Sequence, residues 1–304
     1  MMRINGRGSS IGLLVAITLS GCTVPAGSTA QIVVTTNILG DVVGEIVGDE
    51  AEVTTLMKPN ADPHSFEISA QEAALMESAD LIVSNGLGLE EGLQQHLDRA
   101  INAGAPAIAA GDHIAVLDYT SEDAAGTADP HFWTDPGRMV DVVDAVEAEI
   151  INISGIEASA VNLNADDYRA ELASLDQAMA ESFDAIPEEN RALVTNHHVF
   201  GYLAERFGFR IVGAVIPGGT TLAAPSAADL RDLASAIEDA GVPTIFAESS
   251  QPDRLVQVLA SEVGVEIEVS ELFTESLTEP GQGADTYLTM MQTNTERIAD
   301  GLTK

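Results

Sequence analysis

Three of the six histidines in this 304-residue sequence stand where chemistry could gather. His64 lies in the run Asn60-Ala-Asp-Pro-His-Ser-Phe-Glu67, His131 in Asp129-Pro-His-Phe-Trp-Thr-Asp-Pro136, and His197 in Thr195-Asn-His-His-Val-Phe-Gly-Tyr202. Each run comes after a stretch that reads as a β-strand, and open α/β sheets collect ligands in the loops at the carboxyl ends of their strands. The two Asp-Pro steps around His131 disfavour helix before each proline and favour an ordered turn. Neutral imidazole is the commonest nitrogen ligand of borderline metals, and three imidazoles with one carboxylate can close a four-coordinate zinc shell. No two of these histidines share a local spacing such as HExxH, so any one alone reads equally well as a structural residue. The three strand-end placements together are what point to a metal. His96, on a helical run, and His113, at the head of a strand-like run, read as surface or packing residues. His198 adjoins His197, but neighbours entering a helix point in different directions, which puts His198 at the rim.

The elements that must position these loops show in the periodicity. From Gln31 onward short β-rich runs alternate with longer helical ones, the pattern of an α/β fold with mostly parallel sheets. Expected strands in the first half are Ile32 to Thr35, Val53 to Met57, Leu81 to Ser84 and Ala107 to Ala109. In the second half they are Ala192 to Thr195, Arg210 to Ile216, Thr244 to Ala247 and Glu266 to Val269. Ser69 with Glu72 three residues on has capping-box spacing and marks a helix start just beyond His64. Further helices are expected after Ser226, over Asp253 to Val263, and from about Asp285 to Gly301. Between the halves, Tyr168, Leu172, Leu175, Met179, Phe183 and Ile186 form the stripe of one long amphipathic helix that Pro187 stops. Such a helix is a rigid spacer, and the alternative is one more helix in a single large α/β domain. The organisation that follows is a leader over 1–21, a tether over 22–30, a lobe over 31–157, a linking helix over 158–187 and a second lobe over 188–304.

Composition narrows the partners. Hydrophobic residues make up 45% of the chain and charged ones 20%, enough apolar surface for packed lobes throughout. With 13 Lys+Arg against 48 Asp+Glu, the net charge of −35 excludes nucleic acid, whose phosphates demand basic patches. Most of the excess acid reads as a solubility device. Arg3 and Arg7 supply a basic start and Ile11 to Leu19 a short apolar run, too short to span a membrane and right for a cleaved export signal. Leu19-Ser20-Gly21-Cys22 resembles the lipobox of bacterial lipoproteins, in which the cysteine takes the lipid. Cys22 is the one cysteine in the sequence, so an intrachain disulfide and thiolate metal sites are excluded.

These strings resemble the zinc- and manganese-binding solute-binding lipoproteins of ABC importers, the cluster A-I group, over nearly the whole chain beyond the leader. Asp62-Pro-His-Ser-Phe-Glu67, Asp129-Pro-His-Phe-Trp-Thr-Asp-Pro136 and Val194-Thr-Asn-His-His-Val-Phe-Gly-Tyr202 are similar to the family's first three ligand loops. Gly283-Ala-Asp-Thr-Tyr-Leu-Thr-Met-Met291 is similar to a fourth, which implies Asp285 as the last ligand after His64, His131 and His197. The resemblance implies two (β/α) lobes with mostly parallel sheets joined by one long rigid helix, and a metal buried in the cleft between them. It also implies a membrane permease as partner, a monomer, and an extracytoplasmic location held by a lipid on Cys22. In this family a histidine at the third position accompanies zinc and a glutamate accompanies manganese, so His197 favours zinc. One departure stands out: Asp118 to Asp129 is short, acidic and free of histidine where many zinc importers carry a long His-rich loop.

The leading expectation is therefore capture and delivery of zinc, with manganese or an adhesin role on the same fold as alternatives. A secreted zinc hydrolase is the rival from another class, with Glu248 or Glu67 as its general base. Catalysis needs an open coordination position, which a fourth protein ligand closes.

Overall fold

The structure is a computed structural model and describes residues 1–2, 29–119, 124–216, 218–250, 253–263 and 267–303. Most of the leader expected at 1–21, together with Cys22 and most of the tether, lies outside the described residues. No helix among the described residues is long and apolar enough to cross a membrane.

The first lobe is built on a four-stranded parallel sheet in the order β2-β1-β3-β4, from Ala30–Val34 (β1), Ala51–Thr55 (β2), Leu81–Ser84 (β3) and Ala107–Ala109 (β4). Ile32 pairs with Val53 on one side and Leu81 on the other. Ile32, Val33 and Val34 are all buried, as expected of a central parallel strand covered on both faces. Helices α1 (Asn37–Val47), α2 (Ala70–Glu77), α3 (Gln94–Ala103) and α4 (Pro136–Ile150) complete this lobe. The α2 start is the expected capping box: Glu72 N donates to Ser69 Oγ at 3.2 Å and Ser69 N donates to the Glu72 carboxylate at 2.7 Å. His113 lies in a short 3-10 turn rather than a strand-like run, and its side chain is exposed.

One helix, α5 (Ala158–Asp184), joins the lobes. Its 27 residues span about 40 Å at the α-helical rise. Tyr168, Leu172, Leu175, Met179 and Phe183 are buried along one side, and Ile186 just beyond the helix is buried with them. That stripe packs on α1, α4 and the last helix, so α5 is part of the core rather than a free connector.

The second lobe holds two parallel pairs, Ala192–Thr195 (β5) with Arg210–Ala214 (β6) and Thr244–Glu248 (β7) with Glu268–Leu272 (β8), with β5 packed beside β7. Helices α6 (Gly201–Phe207), α7 (Ala227–Ala240), α8 (Arg254–Glu262) and α9 (Tyr287–Leu302) surround them. The last strand lies further along than the sequence predicts: it ends at Leu272, not Val269.

After β8 the chain crosses to the first lobe. Trp133 Nε1 donates to Thr274 O at 2.8 Å, and Asn37 Nδ2 donates to Ser276 Oγ at 2.8 Å. Leu277 N donates to Asn37 Oδ1 at 2.9 Å, and Asn60 N donates to Leu277 O at 2.9 Å. Tyr287 N, at the start of α9, donates to Asp41 of α1 at 2.8 Å. Segment 274–278 is thus clamped between the lobes, which fixes whatever its side chains carry.

Candidate metal centre

His64, His131, His197 and Glu275 converge on one point, with a donor atom from each lying within 4.8 Å of the others. All four side chains are buried, with no more than 1% exposure. Glu275 Oε1 lies 3.0 Å from His64 Nε2, 3.1 Å from His131 Nε2 and 3.0 Å from His197 Nε2. His131 Nε2 lies 3.4 Å from the Nε2 atoms of both His64 and His197. A tetrahedron of donors about 2.0–2.1 Å from a central zinc has edges of about 3.3–3.4 Å, so these separations are those of a shell that needs little movement to close on an ion.

Each histidine is aimed by its local sequence. The two Asp-Pro-His runs fold alike, each Asp accepting the backbone N–H of the histidine two residues on. Asp62 Oδ1 takes His64 N at 2.8 Å and Asp129 Oδ1 takes His131 N at 2.9 Å. Asn60, at φ 61°, makes the left-handed step that starts the first run, a conformation asparagine tolerates. Asp135 caps α4 through Gly137 N at 2.8 Å, with Pro136 in the first helical position. The Thr195 hydroxyl donates to His197 O at 2.6 Å and shapes the bend between β5 and α6.

The rings are braced from behind. Asp129 Oδ1 lies 2.8 Å from His131 Nδ1, and Glu248 Oε2 lies 3.0 Å from His197 Nδ1, the latter a close ion pair whose N–H direction is off line for a hydrogen bond. Asn196 Nδ2 donates to the same Glu248 oxygen at 3.2 Å. Such carboxylate–imidazole contacts hold the proton on Nδ1 and turn Nε2 toward the shared point. Buried Glu90 serves the loop beneath: it accepts Thr35 Oγ1 at 2.7 Å and Asn85 N at 2.6 Å, while Asn85 Nδ2 donates to Pro130 O at 3.0 Å.

The electrostatics follow from this packing. Burial alone would lower the His197 pKa, but Glu275 and Glu248 beside it carry it well above the usual imidazole value. Burial likewise opposes charge on His131, yet contacts with Asp129 and Glu275 raise it. Burial would raise the Glu275 carboxyl, and the three imidazoles pull it well below the ordinary carboxylate range. Glu248 moves up, burial being the main cause and the Glu275 charge the next.

Of the four residues expected as ligands, the structure brings His64, His131 and His197 together. Asp285, expected as the last ligand, does not join the cluster. Its carboxylate accepts Gly281 N at 2.9 Å and Thr289 Oγ1 at 3.3 Å, one residue ahead of the Thr286 cap of α9. A carboxylate there serves the start of a helix, where negative charge is favoured, and the Gly281 N–H holds its pKa down. Glu275 stands in its stead. Glu275 lies three residues past the end of β8, a strand-end placement that the sequence did not show because that strand was expected to stop at Val269. His198 sits half-buried at the rim beside Tyr119, their ring centroids 6.4 Å apart, and His96 and His113 are not part of the cluster.

The zinc-uptake complex component A (periplasmic) family matches residues 32–301. The chain belongs to that family. Among curated relatives, the manganese ABC transporter substrate-binding lipoprotein PsaA of Streptococcus pneumoniae is 27% identical over 281 residues, covering 90% of this chain and 89% of that one. The manganese-binding lipoprotein MntA of Bacillus subtilis (strain 168) is 28% identical over 299 residues, covering 95% and 97%. Among solved structures, the periplasmic zinc binding protein TroA from Treponema pallidum superposes with a TM-score of 0.84 at 28% identity, covering 91% of this chain and all of that one. The family is one of binding proteins rather than enzymes, and the rival hydrolase reading falls with that.

Proposed function

We propose that this chain is the extracytoplasmic subunit of an ABC importer that captures a divalent transition metal, zinc by preference, and hands it to a membrane permease. The observation that carries the reading is the convergence of His64, His131, His197 and Glu275 on one buried point. Three imidazole nitrogens and one carboxylate make a donor set that holds zinc more tightly than the harder manganese ion. The near-tetrahedral spacing of the donors supports the same choice. The two lobes then serve as jaws fixed by α5, and the ion is the cargo they carry. Four protein ligands leave little room for an attacking water, in keeping with carriage rather than catalysis.

Export through a leader over 1–21 and a lipid on Cys22 is part of the proposal, as are lobes over 31–157 and 188–304 and a monomeric state. It is supported by the string Leu19-Ser20-Gly21-Cys22 and by the lipoprotein names of the relatives.

Manganese is the second reading. Both curated relatives are named for it, and Glu275 Oε2, buried without a hydrogen-bond partner among the described residues, could serve as a fifth donor. Elemental analysis followed by competitive titration, on protein purified without a metal-affinity tag, separates the two. The expected result is one ion per chain, with zinc displacing manganese. Manganese displacing zinc would select the second reading, and no stoichiometric metal at all would overturn both.

A further inference from the structure

Segment 218–221 follows β6 and arches toward the first lobe. Its root is fixed, since Val215 N donates to Thr195 O at 3.0 Å and Ile216 N to Asn196 O at 2.7 Å. Beyond it, Ser226 caps α7. Between these ends the segment is fastened to the first lobe at two places, and both fastenings are made to residues that back a histidine. The Tyr119 hydroxyl donates to Gly219 O at 3.1 Å while lying 3.1 Å from His131 Nδ1. The Thr221 hydroxyl donates to Asp62 Oδ2 at 2.6 Å, and the other oxygen of Asp62 accepts His64 N. Gly219 is packed so closely that a Cβ would meet the Tyr119 ring and hydroxyl at 2.3–2.6 Å. Tyr119 follows Asp118, which forms an antiparallel bridge with Ala128, so it stands near Asp129, the carboxylate that braces His131. Tyr119 also lines an open cleft of about 810 Å³ that reaches Asp129 and His198. An open cleft thus reaches two residues next to the centre, Tyr119 and Asp129, both in contact with His131 Nδ1.

We propose that residues 218–221 form a strap drawn across the metal centre, and that the Tyr119 and Thr221 hydroxyls set how fast an ion enters and leaves. This rests on the metal-binding reading above. Neither hydroxyl belongs to the four-residue cluster, so both act as positioning residues. Loosening the strap makes the open form commoner, which speeds uptake and release together and changes the equilibrium constant less than either rate.

The test is stopped-flow transfer of zinc from the loaded full chain to a chelator, paired with zinc uptake by the metal-free chain. Tyr119→Phe and Thr221→Val are each expected to speed release about three- to tenfold, the worth of one hydrogen bond, and to speed uptake as well. The double variant should exceed either single one. Thr221→Ser, which keeps the hydroxyl, should restore the parental rates. Should the Tyr119→Phe chain fail to fold, Thr221→Val and Gly219→Ala carry the test, since the added methyl displaces the Tyr119 ring without touching the four donors. Rates within twofold of the parent in Thr221→Val and Gly219→Ala would overturn the strap. So would weakened equilibrium binding with uptake unchanged, which marks distorted ligands instead. A parent chain that takes up no zinc would overturn the metal-binding reading itself, a different result from either.

Discussion

Glu275 and Asp285 divide the residue-scale account sharply. Both are acidic and ten positions apart, yet one is buried among three imidazoles and the other serves the start of α9. Glu275→Ala is expected to weaken zinc binding by well over the roughly 10–100-fold that loss of an outer-shell partner costs, while Asp285→Ala leaves it unchanged, as read by competition with a chelating dye. Titration behaviour follows from the same contacts. The raised His197 contributes stability to the metal-free chain that is complete below 6.5 and lost as pH climbs through its higher folded value. The depressed Glu275 contributes stability that is complete above 4.5 and lost as pH falls through its lower folded value. The metal-free chain should therefore gain most from this pair between pH 4.5 and 6.5 and melt at lower temperature as pH rises beyond it. Zinc competes with the His197 proton, so the rise in melting temperature on adding zinc should grow over the same pH increase. A zinc-induced rise that shrinks with pH would contradict the assignment. The histidines were legible because strand ends and Asp-Pro turns mark them. Glu275 was not, because the strand before it was expected to stop at Val269, which left it adrift in a loop, whereas β8 runs on to Leu272.

At the scale of elements, periodicity carried most of the information. Five of the eight strands among the described residues begin at the residue the alternation of β-rich and helical runs assigns them, and the Ser69 capping box forms as its spacing requires. The stripe from Tyr168 to Phe183 buries the face that faces both lobes, so α5 is held by packing along its length. Leu172, wholly buried, sits near its middle. Leu172→Ala is expected to cost about 2–5 kcal/mol in denaturant unfolding while metal stoichiometry stays at one per chain. A loss below about 0.5 kcal/mol would mean that the helix is a tether rather than a strut. What the sequence could not show was the crossing of segment 274–278 into the first lobe. It depends on Asn37, Asn60 and Trp133, which lie far away in the chain and carry no local pattern that pairs them with it.

For the whole molecule, the two-lobe α/β architecture and the long helix that joins the lobes were open to sequence reasoning, but the second joint, at segment 274–278, was not. Hydrogen bonds from Asn37, Asn60 and Trp133 lock the lobes at the floor of the cleft, and α5 locks them along the back. An ion held there is gripped by three loops and one crossing segment, drawn from both halves of the chain. The direct test is a zinc-loaded crystal measured on both sides of the zinc absorption edge. The account predicts a single anomalous peak about 2.0–2.2 Å from His64, His131 and His197 Nε2 and from a Glu275 oxygen. A peak bonded to Asp285 in place of Glu275, or one lying away from the three imidazoles, would contradict it.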